Sequence, residues 1–234
     1  MKVGIIGAME VEVEQLRNDM LEKKETRRAG IDFCEGILCG IPAVIARCGV
    51  GKVNAAVCAQ VLVDCFGVDR LINTGIAGSL DARINIGDIV ISTELVHHDV
   101  DAVVFGYDPG QIPSMPSAWF QADKELAVLA EKACRKVSPE TGVFHGRIAS
   151  GDQFISDRAA KEKIAAQFGA LCTEMEGASI AQAAFRNEIP FVVIRVISDK
   201  ADDSSSMEYP VFEEIAAKKS MQMTEEFLRE LGKK

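Results

Sequence analysis

Apolar residues fall along this chain in short continuous runs separated by amphipathic stretches. KVGIIGA, IPAVIARC, RLINTG, DIVISTELV, GRIASGD, ALCTEME and FVVIRVIS read as strands. Several are apolar on both faces, as strands held between two layers are. Helical spacing is predicted near 9–24, 52–66, 121–137, 157–168, 177–188 and 208–232. In the second of these, Val53, Val57 and Val61 with the small Ala55, Ala56 and Ala59 suit a tightly packed helix. In the last, Phe212, Ile215, Ala216, Met223, Phe227 and Leu231 give an apolar face expected to pack on a sheet. Alternating strands and helices imply a parallel or mixed sheet covered on both faces. ETRRAGIDFCEGILCGIPAVIA is expected to be a hairpin insertion. Without a linker or internal repeat, residues 1–234 are expected to form one α/β domain.

The pattern is least ordinary at its start. MKVGIIGAMEVEVEQL carries G-x-x-G after a strand, as a phosphate loop could, yet Glu10, Glu12 and Glu14 open the next stretch. Helix N-termini attract anions through free N–H groups and the macrodipole, so a phosphate here would face carboxylates. At about 100° per residue, Glu12 lies roughly 200° round from Glu10 and joins the apolar stripe of Met9, Val13, Leu16 and Met20. Glu12 is therefore expected to be buried or to line a pocket, whereas Glu10 and Glu14 face water with Arg17 available to Glu14.

Further acids sit at corresponding places. Glu174 and Glu176 stand where ALCTEMEGAS passes from strand to helix, and FVVIRVISDKADD ends a strand in Arg195, Ser198 and Asp199. NTGIAG at 73–78 and SGDQF at 150–154 bring glycines and backbone amides to two more strand ends. Ligands of open α/β sheets bind outside the carboxyl ends of strands. Taken singly, Glu176, Ser198 or Asp199 could cap a helix. Together, five such strand ends suit hydrolysis with a separated acid and base and a carboxylate for sugar hydroxyls.

Composition narrows the partners. A net charge of −9 speaks against a nucleic-acid groove, which needs a basic face. No apolar run approaches the roughly 20 residues of a membrane span, and a strand-like start without a basic leader gives the expectation of a cytoplasmic protein. Seven scattered cysteines without C-x-x-C read as small buried hydrophobes. His97, His98 and Asp99 invite a metal reading, but neighbours on a strand face opposite ways, so no metal is expected. HHDVDAVVFGYDPGQIPSMPSAWF, rich in proline and exposed-looking aromatics, is expected to be a subunit interface.

GIIGAMEVEVE, GVGKVNAA, NTGIAGSL with GDIVIS, FGYDPGQIP, SGDQFI, TEMEGASIA and VIRVISDKAD, in this order along nearly the whole chain, resemble the 5′-methylthioadenosine/S-adenosylhomocysteine nucleosidases. The resemblance implies a nucleoside phosphorylase-like fold, a three-layer α/β/α sandwich with a central mixed β-sheet, and a homodimer that needs no cofactor. It implies that Glu12 activates water, and that Asp199 protonates a ring nitrogen of the departing adenine. Met175 and Glu176 would hold the ribose hydroxyls, and Arg195 would help order water and sugar. Phe154 would stack on adenine, the Ile155 backbone would bond its edge, and Ser198 would steady the loop carrying Asp199. Ala77 and Gly78 would line the floor. Met9, Val50 and Tyr209 would surround the alkylthio tail, with Phe105 and Pro113 lent by the second subunit. Two positions depart from the family's pattern: Ile76 stands where members often carry Ser, and Ala102 is smaller than the apolar residue expected near the tail.

Three other readings compete. A phosphorylase on the same fold needs arginines around phosphate, and a futalosine-type hydrolase would look similar. A non-catalytic dinucleotide or nucleoside sensor would lack the G-x-G-x-x-G spacing here and would not need an acid on each side of its ligand. ADDSSSMEY at 201–209, between Asp199 and Tyr209, is expected to close over substrate.

Overall fold

The computed structural model describes residues 1–200 and 209–233, with side chains for all of these except 209–213. Among the described residues, ten strands and six α-helices follow one another as β1 (Val3–Gly7), α1 (Glu14–Asn18), β2 (Leu21–Arg28), β3 (Ile31–Leu38), β4 (Ile41–Arg47), α2 (Lys52–Phe66), β5 (Arg70–Ser79), β6 (Ile89–His97), β7 (Phe120–Gln121), α3 (Lys124–Val137), β8 (Val143–Ser150), α4 (Arg158–Phe168), β9 (Ala170–Glu174), α5 (Gly177–Arg186), β10 (Phe191–Asp199) and α6 (Tyr209–Leu231). The sheet runs β10-β6-β8-β9-β5-β1-β4-β3-β2, and the short β7 pairs with β6.

The sheet is mixed, and its joins place the site. β4, β1, β5 and β10 are parallel neighbours, and β6, β8 and β9 form a second parallel group. The two groups meet antiparallel at β6–β10 and at β5–β9. Because β10 bonds both β5 and β6, the strands β5, β10, β6, β8 and β9 close on themselves. At the β5–β9 seam Gly78 pairs with Thr173, so the carboxyl ends of oppositely directed strands converge. A crevice at such a point is where α/β sheets bind ligands.

Alternation along the central strands builds two cores. Ile5, Ile72 and Ile194 face one side with Leu126, Ala130 and Phe227 of α3 and α6. Their neighbours Ile6, Leu71 and Val193 face the other, with Leu62 of α2 and Ile180 of α5. Helices thus cover both faces, as the three-layer expectation requires. Among the described residues no helix is long and apolar enough to cross a membrane.

Some expectations are corrected. Instead of one helix over 9–24 there is a 3₁₀ turn at Glu10–Glu12, the short α1, and then β2. β2 reads LEKKETRR and is exposed along nearly its whole length, so its polar sequence is that of an edge strand rather than a helix. The expected hairpin is present and extends through β2. Ala29–Gly30 (φ 48° and 78°) and Cys39–Gly40 (φ 51° and 81°) join its strands in the positive-φ geometry that two-residue hairpin turns require. On α2 the buried residues are Ala55, Cys58, Ala59 and Leu62, whereas Val53 and Val57 are exposed. Ile215, expected on the packed face of α6, is also exposed, while Ala216, Met223, Phe227 and Leu231 are buried. Cys65 is exposed and Cys39 half-buried, and the other five cysteines are buried.

Candidate active site

The turn after β1 holds an anion supplied by its own chain. Glu12, 3% exposed, ends the 3₁₀ turn and folds its carboxylate back over the loop. Oε2 accepts the backbone N–H of Ala8 at 2.7 Å and of Met9 at 2.9 Å, and Oε1 accepts that of Ile76 at 3.2 Å. The amides that could cradle a phosphate are therefore taken. A Cβ on Gly75 would stand 2.5 Å from Glu12 Oε1 and 2.9 Å from Arg195 Nη1, so only glycine lets β5 pass beneath this carboxylate. Burial raises the Glu12 pKa above its ordinary value, opposed by Arg195 and the three amides, which is the direction a general base needs. Arg17 pairs with Glu10 rather than with Glu14, because the 3₁₀ turn and short α1 replace the expected continuous helix.

Asp199 ends β10, which flanks β5 on the side away from β1. Lys161 Nζ donates to its Oδ2 at 2.7 Å, and Ser198 Oγ donates to its Oδ1 at 3.2 Å. A Cβ on Gly78 would lie 2.9 Å from Oδ2 and 3.0 Å from Oδ1, so this glycine makes room for the carboxylate. Among the described residues neither Ser198 nor Asp199 caps a helix.

Behind these acids, Arg195 and Glu174 form a buried pair, with Arg195 Nη2 donating at 2.5 Å to Glu174 Oε2 and at 2.5 Å to Asn73 Oδ1. Glu174 also accepts the N–H of Glu176 at 3.0 Å and of Gly177 at 2.7 Å, and so caps α5 itself. Its pKa is lowered, Arg195 and these hydrogen bonds outweighing its burial. The Glu176 side chain is thereby free of capping and instead accepts the N–H of Gly51 at 2.9 Å. Burial first, and then Glu174, push Glu176 from its ordinary 4.5 up to about 7.

This shift has a stability consequence. The folded chain holds the Glu176 proton more tightly than the unfolded chain, so its contribution is full below pH 4.5 and is lost as pH rises through about 7. Glu176→Gln keeps a carbonyl for Gly51 and removes the titration. Its melting temperature is expected to exceed that of the parent at pH 8, by on the order of 2–3 kcal/mol in stability. The gain should shrink toward pH 4.5. Equal differences in melting temperature at both pH values would contradict this assignment.

One cleft gathers most of the expected site residues: Met9, Glu12, Val50, Ala77, Gly78, Phe154, Ile155, Met175, Glu176, Ser198 and Asp199. The carboxyl ends of β1, β5, β8, β9 and β10 all reach it, as the sequence pattern implies. Arg195 does not line it but lies 2% exposed behind Glu174. Phe105 and Pro113 do not line it either; both are exposed in the 97–120 loop, where Val104 reaches 87% exposure. Ala102 is buried away from the cleft. The expected tail contact of the Tyr209 side chain and the closing segment at 201–208 lie outside the described residues. His97 is a core residue, bonded through Nε2 to Gln182 at 3.1 Å and packed edge-on against Phe120.

Asn73 and Lys161 support the site without having been singled out in the sequence. The signal for Lys161 was available: α4 buries Lys161, Ile164 and Phe168, a charged residue within an apolar stripe, as with Glu12. Asn73 opens the NTGIAG block, but nothing local marked its side chain, whose partners Ile6 and Arg195 lie on other strands.

This mixed sheet, with its acid-lined cleft where oppositely directed strand ends meet, belongs to the Phosphorylase superfamily, whose family model matches residues 2–229. The 5′-methylthioadenosine/S-adenosylhomocysteine nucleosidase of Exiguobacterium sp. is 44% identical over 224 residues, 95% of each chain. The nucleosidase of Neisseria meningitidis, solved with methylthio-immucillin-A, superposes with a TM-score of 0.93 at 40% identity, covering 97% of this chain and 98% of that one. That of Colwellia psychrerythraea, solved with adenine, gives 0.94 at 42% identity, covering 99% and 96%. The chain belongs to the 5′-methylthioadenosine/S-adenosylhomocysteine nucleosidase family.

Proposed function

We propose that this chain hydrolyses the N-glycosidic bond of 5′-methylthioadenosine, S-adenosylhomocysteine and 5′-deoxyadenosine, releasing adenine and the corresponding ribose product. The observation that carries this reading is that Glu12, after β1, and Asp199, at the end of β10, approach from opposite sides of β5 and line one cleft. Asp199 gives its proton to a ring nitrogen of adenine as the bond to C1′ breaks, so the base leaves neutral. Positive charge develops on the sugar. Water attacks C1′, and Glu12 takes the proton that water loses.

The remaining cleft residues bind and orient. Glu176 and Met175 hold the ribose hydroxyls, Phe154 stacks on adenine and the Ile155 backbone bonds its edge. Ser198 steadies Asp199. Met9, Val50 and Tyr209 surround the thio tail. Arg195 acts from behind, through Glu174 and beside Glu12. Ile76 contributes a backbone N–H to Glu12, a bond that does not depend on its side chain. Residues 1–234 act as one domain in a cytoplasmic homodimer, where Phe105 and Pro113 of each copy complete the tail pocket of the other. The exposure of Val103, Val104 and Phe105 supports a covered face there.

Phosphorolysis is disfavoured because Glu12 occupies the loop amides, Arg17 is bonded to Glu10, and Arg47 lies 3.5 Å from the same carboxylate. Incubation with 5′-methylthioadenosine, with and without phosphate, tests this reading. Adenine and free methylthioribose are expected at equal rates in both, and futalosine should be cleaved far more slowly. A sugar 1-phosphate, or a rate that depends on phosphate, would overturn the hydrolase.

A further inference from the structure

Lys161 is 4% exposed in the apolar stripe of α4. Its Nζ donates to Asp199 Oδ2 at 2.7 Å and to the carbonyl of Lys200 at 2.6 Å. The other carboxylate oxygen, Oδ1, accepts from Ser198 Oγ. Asp199 lines the nucleoside cleft, but Lys161 does not. It borders a separate depression with Leu80, Ile84 and Ala165. Lys161 therefore acts on a bound nucleoside through Asp199 and the Lys200 backbone that it holds.

A lysine this buried is unfavourable unless paired, and an apolar side chain of the same length would fill the stripe without that burden. We propose that Lys161 is a positioning residue for proton delivery by Asp199, an inference that rests on the general-acid reading given above. The ammonium occupies Oδ2, which leaves Oδ1 as the oxygen that carries the acid's proton. When the Oδ1–H bond breaks and the purine N–H bond forms, the carboxylate left behind already faces a cation. No group has to reorganise to meet the new charge. The second bond, to the Lys200 carbonyl, fixes the chain just beyond the acid, so that the same ammonium sets both the position of the carboxylate and its charge partner.

The test is a double-mutant cycle in the full-length enzyme, with kcat and KM for 5′-methylthioadenosine and melting temperatures measured throughout. Lys161→Met is expected to lower kcat by about tenfold or more, with KM changed less than about twofold. Lys161→Gln, which keeps a donor but not the charge, should recover part of kcat, and it supplies the same comparison if the methionine variant does not reach the parent fold. Combined with Asp199→Asn, the Lys161 change should cost nothing more, the double variant turning over within about twofold of Asp199→Asn alone. A structural role would instead multiply the two losses. Parent-like kcat in Lys161→Met beside an inactive Asp199→Asn overturns this inference alone, as does a full multiplicative loss. A fully active Asp199→Asn overturns the general-acid reading and this inference with it.

Discussion

Glu12→Gln is expected to lower kcat for 5′-methylthioadenosine by about 10²–10⁴-fold, the usual contribution of a positioned base. KM should change little, because the proton is taken only as water attacks. The substitution is not a neutral replacement. Both carboxylate oxygens accept backbone N–H groups, so a glutamine must turn its NH₂ toward at least one donor. Facing the single N–H of Ile76 leaves the two bonds from Ala8 and Met9 intact. The unmade bond should destabilise by about 1–3 kcal/mol, partly offset by removing a buried charge. Melting curves recorded alongside the kinetics separate the two effects: a folded, binding-competent protein without turnover is the predicted outcome. Parent-like turnover would remove Glu12 from the mechanism.

Asp199→Asn is expected to show a comparable loss, again about 10²–10⁴-fold in kcat. An amide cannot hand a proton to the departing base. A second consequence follows from the ion pair at 2.7 Å, which is nearly buried on both sides. Removing the carboxylate leaves the Lys161 ammonium without its charge partner, and breaking such a pair typically destabilises by about 3–5 kcal/mol. Asp199→Asn should therefore melt below the parent, and adding Lys161→Met should restore the melting temperature without restoring turnover. If Asp199→Asn kept its melting temperature, the pair would not be the contact described here.

Glu12 and the five strand ends were legible in the sequence because both follow from short-range periodicity. A carboxylate in an apolar stripe, and glycines or acids ending apolar runs, need no tertiary information to be noticed. The reason Glu12 is buried was not legible in the same way. A continuous helix placed it on the correct face, whereas the structure uses a 3₁₀ turn whose geometry folds the carboxylate back onto amides of its own loop and of β5. Only the first half of β2, residues 21–24, was hidden, because one charged residue after another carries no period of two, whereas ETRR already belonged to the expected hairpin. Glu174 and Glu176 looked equivalent. Both line the cleft, and only the tertiary pairing of Glu174 with Arg195, and its capping of α5, distinguishes the structural acid from Glu176. Lys161 reaches Asp199 across 38 positions of chain, a pairing that no local pattern specifies.

A structure of the full-length protein bound to a non-hydrolysable methylthio-nucleoside analogue bears on acid and base together. One Glu12 oxygen should lie about 2.6–3.2 Å from a water beneath C1′, and an Asp199 oxygen at a similar distance from a purine ring nitrogen on the other side of the glycosidic bond. A nucleoside seated in the cleft with either carboxylate beyond reach of its atom would contradict solvent attack between these two groups.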